Sequence, residues 1–132
     1  MRAFQLALRA LAIALAAISL LHLGLGLKAD VLLGVELPAS VQSNPGLSSQ
    51  NRFFGVAYVI YAVILWAASA DLRRYQPLLK AALVVTMLGG LARPVPWAEF
   101  GAPPALVIVL LATELLIPPI VLVWLGNLSH DR

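Results

Sequence analysis

The feature that most constrains this chain is a set of four apolar stretches, each about 18 or more residues long and almost free of charge. They cover about residues 8–27, 53–70, 75–92 and 102–126. Runs of this length that are rich in leucine, alanine and valine are typical of helices that cross a lipid bilayer. Strands of a membrane barrel would instead alternate polar and apolar residues over about ten positions. The sequence therefore predicts four transmembrane helices.

The composition supports the same fold class. Of the 132 residues, 61% are hydrophobic and 11% are charged, whereas a water-soluble domain has about 45–50% apolar and about 25% charged residues. This excess argues against a soluble enzyme and against a disordered chain. A net charge of +3 is too small for a nucleic-acid interface, so we expect no nucleic-acid partner. We predict an all-α integral membrane protein, a single domain over residues 1–132 that forms a bundle of four transmembrane helices.

The distribution of lysine and arginine predicts the orientation. Positively charged connections are retained in the cytoplasm, and acidic residues count little. Six basic residues lie on one side of the four spans and three on the other, so we expect both termini in the cytoplasm. The cytoplasmic set is Arg2, Arg9, Arg73, Arg74, Lys80 and Arg132, and the outer set is Lys28, Arg52 and Arg93.

The longest connection, residues 28–51, is predicted to lie on the outer side and to contain a short helix in the membrane interface. This helix would be capped by Asp30, continue through an apolar run and end at Pro38. The second half of the connection is polar and contains the turn signal Asn44-Pro45-Gly46. A cleaved signal peptide is the alternative for the first span, but the residues around Lys28 form a poor cleavage site.

Helix geometry predicts a layer of polar side chains inside the membrane. His22, Tyr58, Arg93 and Glu114 each lie thirteen residues from a residue at the cytoplasmic edge, a separation of about 20 Å along a helix. In a hydrocarbon core about 30 Å thick, this depth is slightly outside the midplane. Arg52 lies higher, about 28 Å from the same edge and near the outer surface. These five residues are the candidate site, as a ligand-binding group or as a structural polar layer.

Two charges in this layer, Arg93 and Glu114, are predicted to pair because they lie on consecutive spans. An unpaired charge at this depth costs about 2.5–3.5 kcal/mol. The pair has two interpretations: a structural contact that fixes helix packing, or part of an outward-facing pocket for a small molecule or lipid head group. A third, Glu114 as the acid or base of a membrane enzyme, has the least support because no catalytic motif accompanies it. Pro118 and Pro119 release the backbone carbonyls of Glu114 and Leu115, which predicts a kink there.

The sequence predicts no cofactor and no metal site. Only two histidines are present, and His130 lies in the tail opposite to His22, which argues against paired haem ligation. His22 and Glu114 supply too few ligands for a metal ion. Ser19 lies one turn from His22 but has no acidic partner in its span, so a catalytic triad is not expected. Glycines in the spans, such as Gly89-Gly90, favour close helix contact.

A resemblance to a known family follows from the order of three short motifs. Gln50-Asn51-Arg52-Phe53-Phe54-Gly55 opens the second span, Gly89-Gly90-Leu91-Ala92-Arg93 closes the third, and Gly101-Ala102-Pro103 precedes Glu114. The order resembles the small bacterial membrane proteins grouped as domain of unknown function DUF4345, and more loosely four-helix proteins of the DoxX type. The likeness covers nearly the whole chain and implies a multi-pass protein of the cell inner membrane. It makes Arg52, Arg93 and Glu114 the family's polar positions and implies no activity.

Two functional hypotheses from different classes follow. The first is a non-enzymatic structural or accessory subunit of a membrane complex, whose spans pack through alanine and glycine. The second is a binding or transport protein with an outward-facing polar pocket at Arg93 and Glu114, taking a small molecule or a lipid. The expected partners are membrane lipids and either another membrane protein or a second copy of the chain.

Overall fold

The structure, a computed structural model, describes the backbone of residues 1–130 and the side chains of residues 1–128. This part of the chain contains seven helices. Arg132, counted above on the cytoplasmic side, lies outside the described residues. The helices are α1 (Arg2–Leu25), α2 (Leu27–Leu32), α3 (Ala39–Gln42), α4 (Pro45–Ala70), α5 (Leu72–Ala92), α6 (Trp97–Phe100) and α7 (Ala105–His130).

Four segments are long and apolar enough to cross a membrane: α1, α4, α5 together with α6, and α7. No strand is present in residues 1–130. The predicted all-α fold with four membrane-spanning helices is confirmed. The cytoplasmic position of both termini stays a prediction, because orientation depends on a membrane rather than on the fold.

The second span begins earlier than predicted. α4 starts at Pro45, eight residues before Phe53, so the predicted connection 28–51 includes its first two turns. The Asn44 side chain accepts a hydrogen bond from the backbone N–H of Leu47 at 3.1 Å. Proline suits the first helical position because its missing N–H would have no partner there. The Asn-Pro pair is therefore a helix start as well as a turn.

The short helix between the first two spans also differs from its predicted bounds. α2 starts at Leu27 and ends at Leu32, whereas we expected a helix from Asp30 to Pro38. Asp30 consequently lies inside the helix and does not cap it. The shift follows from Gly26, which turns the chain with φ +57° directly after α1. A side chain at Gly26 would also lie 2.6 Å from Ser48 Oγ, so this turn requires glycine.

Prolines have different effects in the last two spans. Pro94 and Pro96 follow the end of α5 at Ala92, as the sequence predicts for a break between spans. Pro118 and Pro119 instead lie inside α7, which stays helical from Ala105 to His130. A neighbouring helix or a side chain can satisfy the carbonyls that such prolines release within a membrane. A kink at this point stays a prediction.

The buried core lies at one end of the bundle. α1 packs chiefly against α4, and α5 packs against both α4 and α7. The ring of Trp124 on α7 meets the ring of Phe4 on α1 edge-on, with centroids 5.1 Å apart. We call this the core end, and the opposite end, which holds His22, Arg52, Arg93 and Glu114, the polar end. The core residues are Phe4, Leu8, Ala12, Leu65, Ala68, Leu79, Leu83, Val121 and Leu125.

Small residues lie at several contacts between helices. Ser19 on α1 is buried, and its hydroxyl donates to the carbonyl oxygen of Gly55 on α4 at 2.7 Å. Small side chains allow backbones to approach closely, which replaces the hydrophobic driving force that is absent between helices in lipid. The buried small residues of the four spans include Ala12, Ser19, Gly55, Ala62, Ala68, Ser69, Ala82 and Gly90.

Candidate functional site

Arg93 and Glu114 form a bidentate ion pair at the polar end. Arg93 follows the last residue of α5, and Glu114 lies in α7. Arg93 Nε donates to Glu114 Oε2 and Nη2 donates to Oε1, each at 2.5 Å. The two side chains are 27% and 18% exposed, so water or lipid head groups screen the pair only in part. The predicted pairing is confirmed, with the parallel geometry in which arginine and carboxylate bind most strongly.

A glycine allows this pair to form. Gly90 is buried on α5, and a Cβ added there would lie 3.0 Å from Leu115 Cδ2 and 3.1 Å from Glu114 Cβ. The backbone of α5 therefore passes against the base of the Glu114 side chain. Arg93, three residues farther along, can then reach the carboxylate. Tyr58 on α4 packs beside Tyr61, with ring centroids 6.3 Å apart.

A groove of about 400 Å³ lies beside the ion pair. Arg93 is the one member of the predicted polar layer among its lining residues, and the rest of the lining is mostly apolar. The ion pair uses Nε and Nη2, which leaves the two N–H groups of Nη1 as further donors on the guanidinium. The remaining lining residues are Pro96, Trp97, Phe100, Gly101, Ala102, Pro103 and Val107.

His22 belongs to a second polar group, formed by α1, α2 and α4. Its Nδ1 lies 2.9 Å from the carbonyl oxygen of Ile18, one turn earlier. Its Nε2 lies 3.4 Å from Asp30 Oδ1 on α2. The other carboxylate oxygen, Asp30 Oδ2, accepts a hydrogen bond from Asn51 Nδ2 on α4 at 2.6 Å. Three helices therefore meet at the carboxylate of Asp30.

Arg52 caps the end of α1. Its Nη1 donates to the carbonyl oxygens of Leu23 and Gly24, the latter at 3.0 Å. The last carbonyls of a helix have no partner within the helix, and a cation next to them is favoured by the helix dipole. The predicted position near the outer surface did not identify this role. Arg52 therefore joins α4 to α1.

The predicted layer thus divides into two groups. Arg93 and Glu114 come together, whereas the His22 side chain, among the described residues, makes its polar contacts with Ile18 and Asp30. The reason is that the polar end is built from two helix pairs, α1 with α4 and α5 with α7. The shared depth of these residues stays a prediction, and depth alone does not select a partner.

Asp30 and Asn51 are the site residues that sequence reasoning missed. Asp30 was interpreted as a helix cap, and Asn51 was noted only as part of a motif beside Arg52. Both are polar residues within a few positions of a span end, where a polar partner for His22 is expected. Which residue meets His22 depends on the turn at Gly26, and the sequence does not specify that turn.

The chemistry available to these groups is limited. Both oxygens of Glu114 accept from Arg93, and the hydroxyl of Ser19 donates to a backbone carbonyl. Among the described residues, no three histidine, cysteine, aspartate or glutamate side chains are close enough together to hold a metal ion. The arrangement joins helices and offers a groove with one cationic side chain.

Comparison with known proteins identifies the family. No curated protein and no solved structure matches this chain. One family model, described as a domain of unknown function (DUF4345), matches residues 3–125, nearly the whole chain. The matched region covers nearly all of the four membrane-spanning helices and both polar groups, and the chain therefore belongs to the DUF4345 family.

Proposed function

We propose that this protein is a non-enzymatic accessory subunit of a larger complex in the cell inner membrane, with both termini in the cytoplasm. The observation that carries the proposal is the bidentate pairing of Arg93 with Glu114. A carboxyl group acting as acid or base has to reach a substrate with at least one oxygen. Both oxygens of Glu114 are bound by Arg93, so the pair serves helix packing.

The other intramembrane polar groups support the same role. Arg52 binds backbone carbonyls at the end of α1, and His22 contacts Asp30, which is itself bound by Asn51. Each contact joins one helix to another. Polar contacts of this kind stabilise and orient helices in a membrane.

The surface of α7 supports a partner helix from another protein. Of the most apolar 18-residue stretch of α7, only 11% of the residues are buried, against 28% for the corresponding stretch of α4. A groove of about 460 Å³ along this helix is lined by Pro119, Ile120, Val123, Trp124 and Asn127. Asn127 is exposed, and an amide at the edge of an apolar face can form hydrogen bonds to a neighbouring transmembrane helix. We infer that the α7 groove is the subunit contact.

Photo-crosslinking in native membranes tests this proposal. A photoreactive residue at Val123, in the α7 groove, is expected to give one discrete product with a different protein, because its side chain would face the partner helix. The same residue at Leu88 on α5, which is 59% exposed, is the control and should react with lipid. A chain that purifies alone in mild detergent, with no protein product from position 123, would contradict the accessory role. A product of two identical chains would replace it with self-association.

A second candidate function, lipid binding, is favoured by the groove beside Arg93. Nη1 of Arg93 can donate to phosphate or ester oxygens, and Trp97 and Phe100 have the rings that membrane interfaces favour. Phe100 is 82% exposed, so a lipid can reach the groove from the membrane. The groove has the mixed lining, largely apolar with a few polar donors, that ligand sites share.

Lipid retained through purification measures this second function. Replacing Trp97 by alanine is expected to reduce the amount of co-purified phospholipid, measured by native mass spectrometry, because the substitution removes one wall of the groove. Phe53→Ala is the matched control, since Phe53 on α4 is 71% exposed and does not line the groove. Equal phospholipid retention in the two variants would contradict lipid binding at this groove.

A further inference from the structure

The two contacts of the His22 ring cannot both be hydrogen bonds of a neutral histidine, which has one N–H. His22 Nδ1 lies 2.9 Å from the carbonyl oxygen of Ile18. A carbonyl oxygen only accepts, so this contact is a hydrogen bond when Nδ1 carries the hydrogen. In a neutral imidazole the other nitrogen, Nε2, is then an acceptor without hydrogen. Yet Nε2 faces a carboxylate oxygen of Asp30 at 3.4 Å.

Both oxygens of Asp30 face a donor when the additional proton is on His22. Asp30 Oδ2 accepts from Asn51 Nδ2 at 2.6 Å, so the amide N–H and not the amide oxygen faces the carboxylate. The amide oxygen Oδ1 of Asn51 is buried with no hydrogen-bond partner among the described residues. The imidazolium form of His22 then donates from Nε2 to Asp30 Oδ1.

We infer that His22 and Asp30 form a proton-dependent latch, which holds α2 against α1 and α4 when His22 is protonated and releases it when the proton leaves. Histidine is the side chain whose charge changes between about pH 5 and about pH 8. Below that change, the two groups attract and share a hydrogen bond. Above it, one ring hydrogen faces two acceptors, so the bond to Ile18 and the bond to Asp30 compete, and the charge attraction that held Asp30 is lost.

The surroundings of His22 restrict the latch to this pair. Gly55 on α4 packs directly against the His22 side chain, since a Cβ added to Gly55 would lie 2.3 Å from His22 Cβ. The ionisable residues one turn on either side of Gly55 are Arg52 and Tyr58. Arg52 is bound to the carbonyls of Leu23 and Gly24, and Tyr58 is exposed and packs beside Tyr61. On α2, the charged residues are Asp30 and the exposed Lys28.

The latch acts on a segment with few other attachments. α2 has six residues, and its one buried side chain is Ala29. Asp30 bridges it to both neighbouring helices, whereas the core residues all lie at the opposite end of the bundle. When His22 no longer binds Asp30, the hydrogen bond from Asn51 remains as the side-chain contact of Asp30. α2 therefore gains freedom while the core end is unchanged.

Two measurements on the whole chain in lipid nanodiscs test the latch. The sequence has no cysteine and two histidines, so a cysteine pair takes spin labels uniquely and His130→Gln leaves His22 as the one imidazole. Labels at Leu32→Cys and Ser49→Cys, both exposed, report the distance from α2 to α4. We expect a narrow distribution at about pH 5 and a broad one at about pH 8. Nitrogen NMR should show protons on both ring nitrogens of His22 only in the narrow state.

Control variants make the outcome decisive. His22→Gln and Asp30→Asn should each remove the pH dependence, because a neutral amide supplies a donor or an acceptor at either pH. Labels at Leu6→Cys and Leu78→Cys, on the core end, should show no change in the wild-type sequence. A distance from α2 to α4 that stays narrow while His22 loses its proton overturns the latch, as does a pH dependence that survives in both variants. Narrowing that a chelator abolishes would assign the bridge to a metal ion and overturn the proton as well.

Discussion

Replacing Arg93 by methionine is expected to lower the free energy of unfolding of the bundle by about 3–5 kcal/mol, because Glu114, 18% exposed, is then left largely out of water without its counter-charge. Both carboxylate oxygens of Glu114 accept from Arg93 at 2.5 Å, so the substitution removes two charge-assisted bonds at once. The pair joins the end of α5 to α7, which makes the loss a loss of helix packing. Thermal or denaturant unfolding in mild detergent measures it.

The double variant Arg93→Met with Glu114→Gln should recover much of that stability. Replacing both members of a buried ion pair by neutral groups of similar size is often nearly neutral, since no uncompensated charge remains. Glu99→Gln is the control, because Glu99 is an exposed acid on the same connection and its loss should leave stability unchanged. Single effects of Arg93→Met and Glu114→Gln that simply add in the double variant would show that the two residues do not interact.

The same double variant separates the two candidate functions. If Arg93 serves packing alone, the variant that regains stability should also keep its crosslink from Val123. If Arg93 also binds lipid in the groove, the variant should regain stability and still lose co-purified phospholipid, because methionine has no N–H to donate. Stability and lipid retention are thus independent measurements on one protein.

The membrane-spanning fold was predictable because it follows from local chemistry. A stretch of apolar residues long enough to cross the bilayer has one stable backbone arrangement when it runs alone, a helix that satisfies all its own hydrogen bonds. Depth along a helix follows from a fixed rise per residue, so Arg93 and Glu114 could be placed at one level and paired. The start of α4 was missed because Asn44-Pro45 is favourable both in a turn and at a helix start.

The environment of His22 was not predictable, because it depends on which helices are neighbours. The sequence places His22 and Glu114 at similar depth, but α1 packs on α4, and α7 packs on α5. The turn at Gly26 then brings Asp30 back over His22. The periodicity of apolar residues does not predict a positive φ at one glycine. Here that turn gives His22 a polar partner eight residues farther along the chain.

The close approach of α1 and α4 depends on Gly55, and Gly55→Ala is expected to lower the free energy of unfolding by about 3 kcal/mol. A Cβ at this position would lie 2.3 Å from His22 Cβ. Two Cβ atoms on different helices cannot approach each other so closely. Rotation of a side chain does not relieve this contact, so one helix has to move. The movement would also separate Ser19 from the Gly55 carbonyl, which it now reaches at 2.7 Å.

Two other glycines provide matched controls for this prediction. At Gly90 the nearest atoms are Leu115 Cδ2 at 3.0 Å and Glu114 Cβ at 3.1 Å. The leucine end can turn aside and Glu114 needs only a small shift, so alanine there should cost less than at Gly55. At Gly89 nothing lies within 4 Å, and alanine should raise stability by about 0.5–1 kcal/mol, since it favours the helix over the unfolded chain. Unfolding of the three variants in one detergent should therefore give the order Gly89→Ala, Gly90→Ala, Gly55→Ala from most to least stable. A Gly55→Ala protein as stable as Gly89→Ala would mean that α1 and α4 do not approach each other at His22, and the latch between His22 and Asp30 would lose the helix pair on which it is built.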